Sequence, residues 1–95
     1  MTKKTVLNSI RIHKKELKEK FTVRRIGVFG SLARDDADRE SDVDILVEFD
    51  QPTFDHYMDL KFFLEQLLNA QVDLVMADAV KPRLRPYISQ EVVYA

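Results

Sequence analysis

The sequence predicts an α/β fold, a small mixed β-sheet packed by helices, on three observations. Apolar residues recur at steps of three and four from Val6 to Phe21, and again from Phe54 to Leu68. Runs rich in β-branched residues occupy 23–29, 42–49 and 71–76. Polar and turn-forming residues separate these segments, so helix and strand patterns alternate in the order α-β-(α)-β-α-β-α.

The first helix is expected over Thr5–Lys20, because Val6, Ile10, His13/Lys14, Leu17 and Phe21 make one apolar stripe with lysines around the other side. Val23–Phe29 reads as a strand ending in a turn at Gly30-Ser31, with Leu32–Arg34 as a single helical turn and Asp35–Ser41 as loop. Asp42–Phe49 alternates well. Val43, Ile45, Val47 and Phe49 share one face, and Asp42, Asp44, Leu46 and Glu48 share the other. Asp50–Thr53 is a turn able to cap a helix from Thr53 or Phe54 to Leu68. Gln71–Met76 is the third strand. A short helix follows, from Pro82 or Pro86 to Glu91, since proline fits best in a first turn. Val92–Tyr94 is an edge strand or a tail.

At 95 residues the chain, 1–95, is read as one domain. Lys plus Arg is 15 and Asp plus Glu is 16, a net charge of −1, which argues against a generic polyanion binder and against direct nucleic-acid binding. The charge is unevenly spread. Residues 1–25 carry nine basic and two acidic side chains, whereas 34–50 carry two and eight. Cysteine is absent, which excludes disulfides, thiolate nucleophiles and cysteine-ligated zinc. The longest apolar runs are a few residues and the N-terminal segment has no apolar core of a secretion signal, so neither membrane insertion nor export is expected, and a cytoplasmic location is.

Chemistry is concentrated in Gly30-Ser31, ten residues, then Asp42-Val43-Asp44. Two residues apart on a strand, Asp42 and Asp44 leave the same face at about 6–7 Å. Two carboxylates there repel by about 2–3 kcal/mol at an effective dielectric near 20. A hard divalent cation between them relieves this, and magnesium commonly takes one or two carboxylates plus waters and substrate phosphates. Asp73 interrupts the apolar string Val72, Leu74, Val75, Met76, where a buried carboxylate is costly unless paired or metal-bound. If the third strand lies beside the second, Asp73 joins the pair. Three carboxylates can hold two metal ions about 3.5–4 Å apart, as in phosphoryl displacement, and one of them, Asp73, can accept the proton of the attacking hydroxyl. Gly30 lets backbone approach an anion, Ser31 adds a hydroxyl, and Arg34 adds charge to a polyphosphate. Each piece has a plain alternative: an ordinary turn, a solvated Asp-x-Asp, a salt-bridged Asp73, a surface arginine paired in the acidic loop. Their order along the chain is what makes the set informative.

Gly30-Ser31-Leu32-Ala33-Arg34 followed by Ser41-Asp42-Val43-Asp44 resembles the signature of the DNA polymerase β-like nucleotidyltransferase superfamily. Within it, the chain is similar to the minimal nucleotidyltransferase (MNT) antitoxins of the MntA type. The resemblance implies the polymerase β-like nucleotidyltransferase fold. It implies that Gly30 and Ser31 bind the triphosphate of ATP, that Asp42 and Asp44 bind Mg²⁺, and that Asp73 is the third acidic residue. It also implies a partner: an all-helical HEPN RNase toxin, silenced by transfer of AMP from ATP to one of its tyrosines. Asp35 stands where many relatives have glycine. Two other readings stay open, a non-catalytic antitoxin acting by occlusion, and a nucleotidyltransferase with a small-molecule or RNA acceptor.

Other residues are read more plainly. His13 and His56 are surface or boundary histidines. The arc Phe54, Tyr57, Met58, Leu60, Phe63, Leu64, Leu67, Leu68 is mostly core, with room for part of it to meet a partner, in a hetero-oligomer with the toxin, or a second copy. Lys81, Arg83 and Arg85 form a solvated basic patch or a nucleotide or partner contact. Tyr87 and Tyr94 are weak candidates for self-modification.

Overall fold

The structure, a computed structural model, describes residues 1–34 and 42–95. Two helices open the chain, α1 (Lys3–Ile12) and α2 (Lys14–Phe21). Then come β1 (Val23–Phe29), the short α3 (Gly30–Ala33), β2 (Val43–Phe49), α4 (Phe54–Leu68) and β3 (Val72–Met76). Two 3₁₀ turns, Ala77–Ala79 and Pro82–Leu84, lead to α5 (Arg85–Glu91) and β4 (Val93–Tyr94). The expected loop Asp35–Ser41 lies outside the described residues.

The sheet runs β3-β2-β1-β4. β1 is antiparallel to both β2 and β4, and β3 is parallel to β2, with α4 as the crossover a parallel pair requires. The sheet is therefore mixed, as predicted. One face carries the core. Val6, Ile10 and Leu17 meet Ile26, Val28, Ile45 and Val47 of the sheet and Leu60 and Leu64 of α4, all fully buried. On β2 the predicted alternation holds: Val43, Ile45, Val47 and Phe49 enter this core, while Asp44, Leu46 and Glu48 take the other face. Leu46 is buried there too. It lies at a cavity of about 250 Å³ that Ile88 and Ser89 of α5 help to line.

Three local features depart from the sequence reading. The single helix expected over Thr5–Lys20 is two, broken at His13 (φ −102°, ψ 11°). The His13 amide donates to the Ile10 carbonyl at 3.0 Å and Nδ1 lies 2.8 Å from the Ser9 carbonyl, which tightens this turn. The apolar stripe survives the break, with His13 half-buried and its ring edge-on to Phe63 at 5.7 Å. The helix also starts earlier, because the Thr2 hydroxyl accepts from the Thr5 amide at 3.2 Å. In β1, the register slips between Val23 and Arg25. That extra residue returns Val23 to the same face as Ile26 and Val28, which strict alternation would forbid.

Where α4 begins, the reading is exact to a residue: the Thr53 hydroxyl accepts from the His56 amide at 3.1 Å and the helix starts at Phe54. Both prolines also find their place, Pro82 opening the 3₁₀ turn and Pro86 in the first turn of α5. Leu60, Leu64 and Leu68 of α4 are buried, Tyr57, Met58, Phe63 and Leu67 half-buried, and Phe54 and Phe62 exposed. No helix among the described residues is long and apolar enough to cross a membrane.

The closing strand depends on one missing side chain. Of the expected segment Val92–Tyr94, Val93–Tyr94 forms β4, paired to β1 through Gly27↔Tyr94 and Val28↔Val93. A Cβ on Gly27 would sit 2.8 Å from both Val92 Cγ2 and the Val93 carbonyl oxygen, closer than packed atoms come. Gly27→Ala is accordingly expected to destabilise the chain by about 1–3 kcal/mol, the usual cost of overpacking. The check is a lower urea midpoint at unchanged slope. An unchanged midpoint would mean that β4 does not press on Gly27.

Candidate active site

β1 ends against the mouth of β2, and the chain must turn sharply there. Gly30 does so at φ +73°, a region closed to most L-residues. Its lack of a side chain matters as much as its φ. A Cβ at position 30 would lie 2.0 Å from Asp44 Oδ2, so the Asp44 carboxylate occupies the space that any other residue would fill. After this contact the backbone winds through Ser31, buries Leu32, and closes one turn with the Arg34 amide donating to the Gly30 carbonyl at 3.2 Å. The Lys3 ammonium donates to the Ala33 carbonyl at 3.3 Å, tying α3 to the first helix.

Asp44 is then set by its strand neighbours. It lies opposite Phe29 on β1 and opposite Asp73 on β3. Because β2 and β3 are parallel and in register, the Asp44 and Asp73 side chains leave the same face about 5 Å apart. Two anchors from α4 fix β3 on either side of Asp73. Glu65 Oε2 accepts from the Val72 amide at 3.1 Å, and the Tyr57 hydroxyl donates to the Leu74 carbonyl at 2.7 Å. These bonds also cover backbone groups on the outer edge of the sheet. The expectation that Asp73 is buried is corrected: it is exposed, and its neighbours Val72 and Leu74 carry the burial. An alternating edge strand, not a doubly covered one, explains an aspartate in that string.

Asp42 precedes β2 by one residue and is exposed, two positions before Asp44. Its charge still reaches the pair. The Asp44 carboxyl is pushed above its ordinary value, first by partial burial, then by the charges of Asp73 and Asp42 and a hydrogen bond with Asp73, with Arg34 opposing. Among the described residues, no three His, Cys, Asp or Glu side chains are arranged to hold a metal ion between them. The donors nonetheless fit a hard divalent cation. Two adjoining carboxylates and a third nearby offer only oxygen, and their mutual repulsion is what a bound cation would relieve.

The Arg34 guanidinium pairs with Glu91 at the end of α5; the acidic loop in which a partner was expected lies outside the described residues. The other oxygen of Glu91 accepts from the Gly30 amide at 3.1 Å. Sequence reading passed over Glu91, although its distance from Val93, the partner of Val28, places it level with Gly30. Of the other residues weighed, Lys81, Arg83, Arg85 and Tyr87 are exposed, and Arg85 Nε donates to the Val80 carbonyl at 3.1 Å. Tyr94 lies beneath the Arg25 guanidinium at 3.6 Å.

The raised Asp44 carboxyl has a consequence for stability. Folding disfavours its ionised form, so its stabilising contribution is complete below the unfolded value and is lost as pH rises through the folded one. At neutral pH, above the ordinary carboxylate value, the raised Asp44 carboxyl therefore costs the metal-free chain stability. Asp44→Asn is therefore expected to raise the Tm at pH 7 in chelator-treated buffer, with the gain shrinking below about pH 4, the ordinary carboxylate range. Thermal unfolding at the two pH values checks this, and a lower Tm for the variant at pH 7 would contradict it.

Comparison with known proteins places the fold and the family. The nucleotidyltransferase domain model matches residues 10–95. A Thermococcus cleftensis relative named protein adenylyltransferase MntA is 44% identical over 99% of this chain and 96% of its own. A solved structure described as a candidate minimal nucleotidyltransferase superposes with TM-score 0.81 at 36% identity, covering 98% of this chain and 95% of that one. The fold is shared at greater distance by a chain of a Shewanella oneidensis complex, a tri-AMPylated HEPN toxin with its MNT antitoxin (TM-score 0.68, 19% identity, 98% of this chain and 71% of that one). A glycine turn pressed on one carboxylate, a second carboxylate in register beside it, and a family match across nearly the whole chain agree: this protein belongs to the nucleotidyltransferase domain family.

Proposed function

We propose that the chain is a Mg²⁺-dependent protein adenylyltransferase. It moves AMP from ATP to a tyrosine of a HEPN-type toxin and so acts as the antitoxin of the pair, working in the cytoplasm as a single domain over 1–95. The observation that carries this reading is the packing of Asp44 against Gly30 with Asp73 in parallel register beside it. The 44% identical relative named as a protein adenylyltransferase supports the reaction, and the AMPylated toxin found with a chain of the same fold supports the acceptor.

In this reading Asp42, Asp44 and Asp73 are the ligands of Mg²⁺, two ions in all. Bound there, the metal offsets the triphosphate's charge and that of the departing pyrophosphate. Gly30 and Ser31 hold the triphosphate, the glycine by letting the backbone close on it and the serine by its hydroxyl. Arg34 adds a positive charge at the same turn. The tyrosine oxygen forms a bond to the α-phosphorus as the bond to the bridging oxygen breaks and pyrophosphate leaves. Asp73 is exposed and held from both sides, and it takes the tyrosine proton. Holding the acceptor beside the nucleotide in a two-chain complex supplies the proximity that the transfer requires.

Transfer of labelled AMP to the HEPN-type partner tests this. Wild-type chain with Mg²⁺ is expected to label the partner, and EDTA to abolish labelling. Asp73→Asn should lower the rate by about 10²–10⁴-fold if it is the proton acceptor. Asp42→Asn/Asp44→Asn should leave no measurable transfer. Undiminished labelling by that double variant would overturn the reading. Protection of cells by an Asp42→Asn/Asp44→Asn/Asp73→Asn chain would favour an antitoxin that works by occlusion.

A further inference from the structure

We propose that Glu91 is a positioning residue for this site, holding the Gly30–Arg34 turn in the shape that grips a nucleoside triphosphate. The inference rests on the nucleotidyl-transfer reading above and extends it to the far end of the chain.

One carboxylate spans the whole turn. Glu91 Oε2 accepts from the Gly30 amide at 3.1 Å, and Oε1 pairs with Arg34 Nη1. These donors stand at the two ends of α3, with Ser31 between them. The pair is not a loose surface contact, since the Glu91 side chain is only 26% exposed where Arg34 is 50%. Glu91 is brought there by the sheet. Val93 lies opposite Val28, and continuing that antiparallel ladder by two residues sets Glu91 level with Gly30. α5 stops at Glu91 and β4 starts at Val93, so Glu91 stands at the point where the chain joins the sheet beside β1.

Two consequences follow for the chemistry. Gly30 is kept at φ +73° by a bond to its own amide, so the glycine surface stays closed on Asp44. Arg34 is kept where its charge reaches Asp44, and the pair with Glu91 helps to hold it there. A guanidinium carries five N–H donors in a planar fork, so being held through Nη1 is compatible with engaging a phosphate as well. Glu91 thus orients the arginine without replacing its ligand.

The test compares Glu91→Gln with wild type, alone and in an Arg34→Ala background. Glutamine retains an oxygen for the Gly30 amide but loses the charge that holds Arg34. The KM for ATP in AMP transfer is expected to rise about tenfold, the scale of one charge-assisted hydrogen bond, with kcat within about twofold. In the Arg34→Ala background the same substitution should add nothing, whereas a merely structural role would weaken both backgrounds alike. Glu91→Asp, one methylene shorter, should fall between and covers the case of a poorly folding glutamine variant. Tighter ATP binding by Glu91→Gln would show the carboxylate to be a competitor of the triphosphate and overturn the proposal, as would equal effects in the two backgrounds. A nucleotide-free readout separates the two readings: the Gly30 amide resonance should move in Glu91→Gln. If it moves but wild type transfers no AMP to the partner, the transfer reading fails on its own. If wild type transfers AMP and the resonance does not move, only the role of Glu91 fails.

Discussion

Position 30 and the side chain of Asp44 compete for one volume, and the rest of the site follows from how that competition is resolved. Glycine yields the space, the carboxylate fills it, and β1 and β2 can then close their ladder through the pair Phe29 and Asp44. The same contact forces the chain to leave the strand at φ +73°, which starts α3 immediately and places Ser31 and Arg34 within one turn of the acid. A single steric constraint therefore sets both halves of the site, the acidic half on the sheet and the anion-binding half on the turn.

The acidic half is built against its own electrostatics. Carboxylates about 5 Å apart on neighbouring strands repel by about 3 kcal/mol at an effective dielectric near 20. The fold meets this with backbone restraint. Tyr57 and Glu65 clamp β3 on either side of Asp73, so that strand cannot slide to relieve the repulsion. A slip of one residue would also turn Val72 and Leu74 out of the core, which is the stronger penalty. Hydrophobic burial on one face thus holds a strained charge pattern on the other. That division of labour is why β2 sets Asp44 and Glu48 opposite its core residues, with Leu46 buried between them on the same face.

Much of this was legible in the chain itself, and the reason is periodicity. Alternation at 42–49 revealed the faces of β2, and Thr53 marked the start of α4, because each is a local signal. The link between Gly30-Ser31 and Asp42-x-Asp44 was legible as spacing. What escaped was non-local or broke a period. The slip at Val23/Arg25 lets Val23 and Ile26 share a face, and nothing in a run of β-branched residues announces an inserted residue. The break at His13 leaves the apolar stripe intact, so the stripe alone reports one helix. The apolar string Val72, Leu74, Val75, Met76 predicts a buried strand around Asp73, yet Val75 and Met76 are only half-buried at the sheet edge. Glu91 carried no signal of its own. Its place depends on pairing between segments more than sixty residues apart.

Long-range contacts of this kind are how so small a domain keeps a precise site. Short helices have little intrinsic stability, and α3 has four residues. It persists because its surroundings hold it at several points: Leu32 is buried beneath it, the Lys3 ammonium meets the Ala33 carbonyl, and Glu91 bridges Gly30 and Arg34. These anchors come from the first helix and from the last, so the turn that faces the acids is fastened by both extremities of the described chain. Gly27 belongs to the same arrangement. By admitting Val92 and Val93 against its bare Cα, it lets β4 seat fully, and only a seated β4 delivers Glu91. The two glycines of the sequence therefore serve one geometry. Gly30 opens space for the carboxylate of Asp44, and Gly27 opens space for the strand that keeps Gly30 in place.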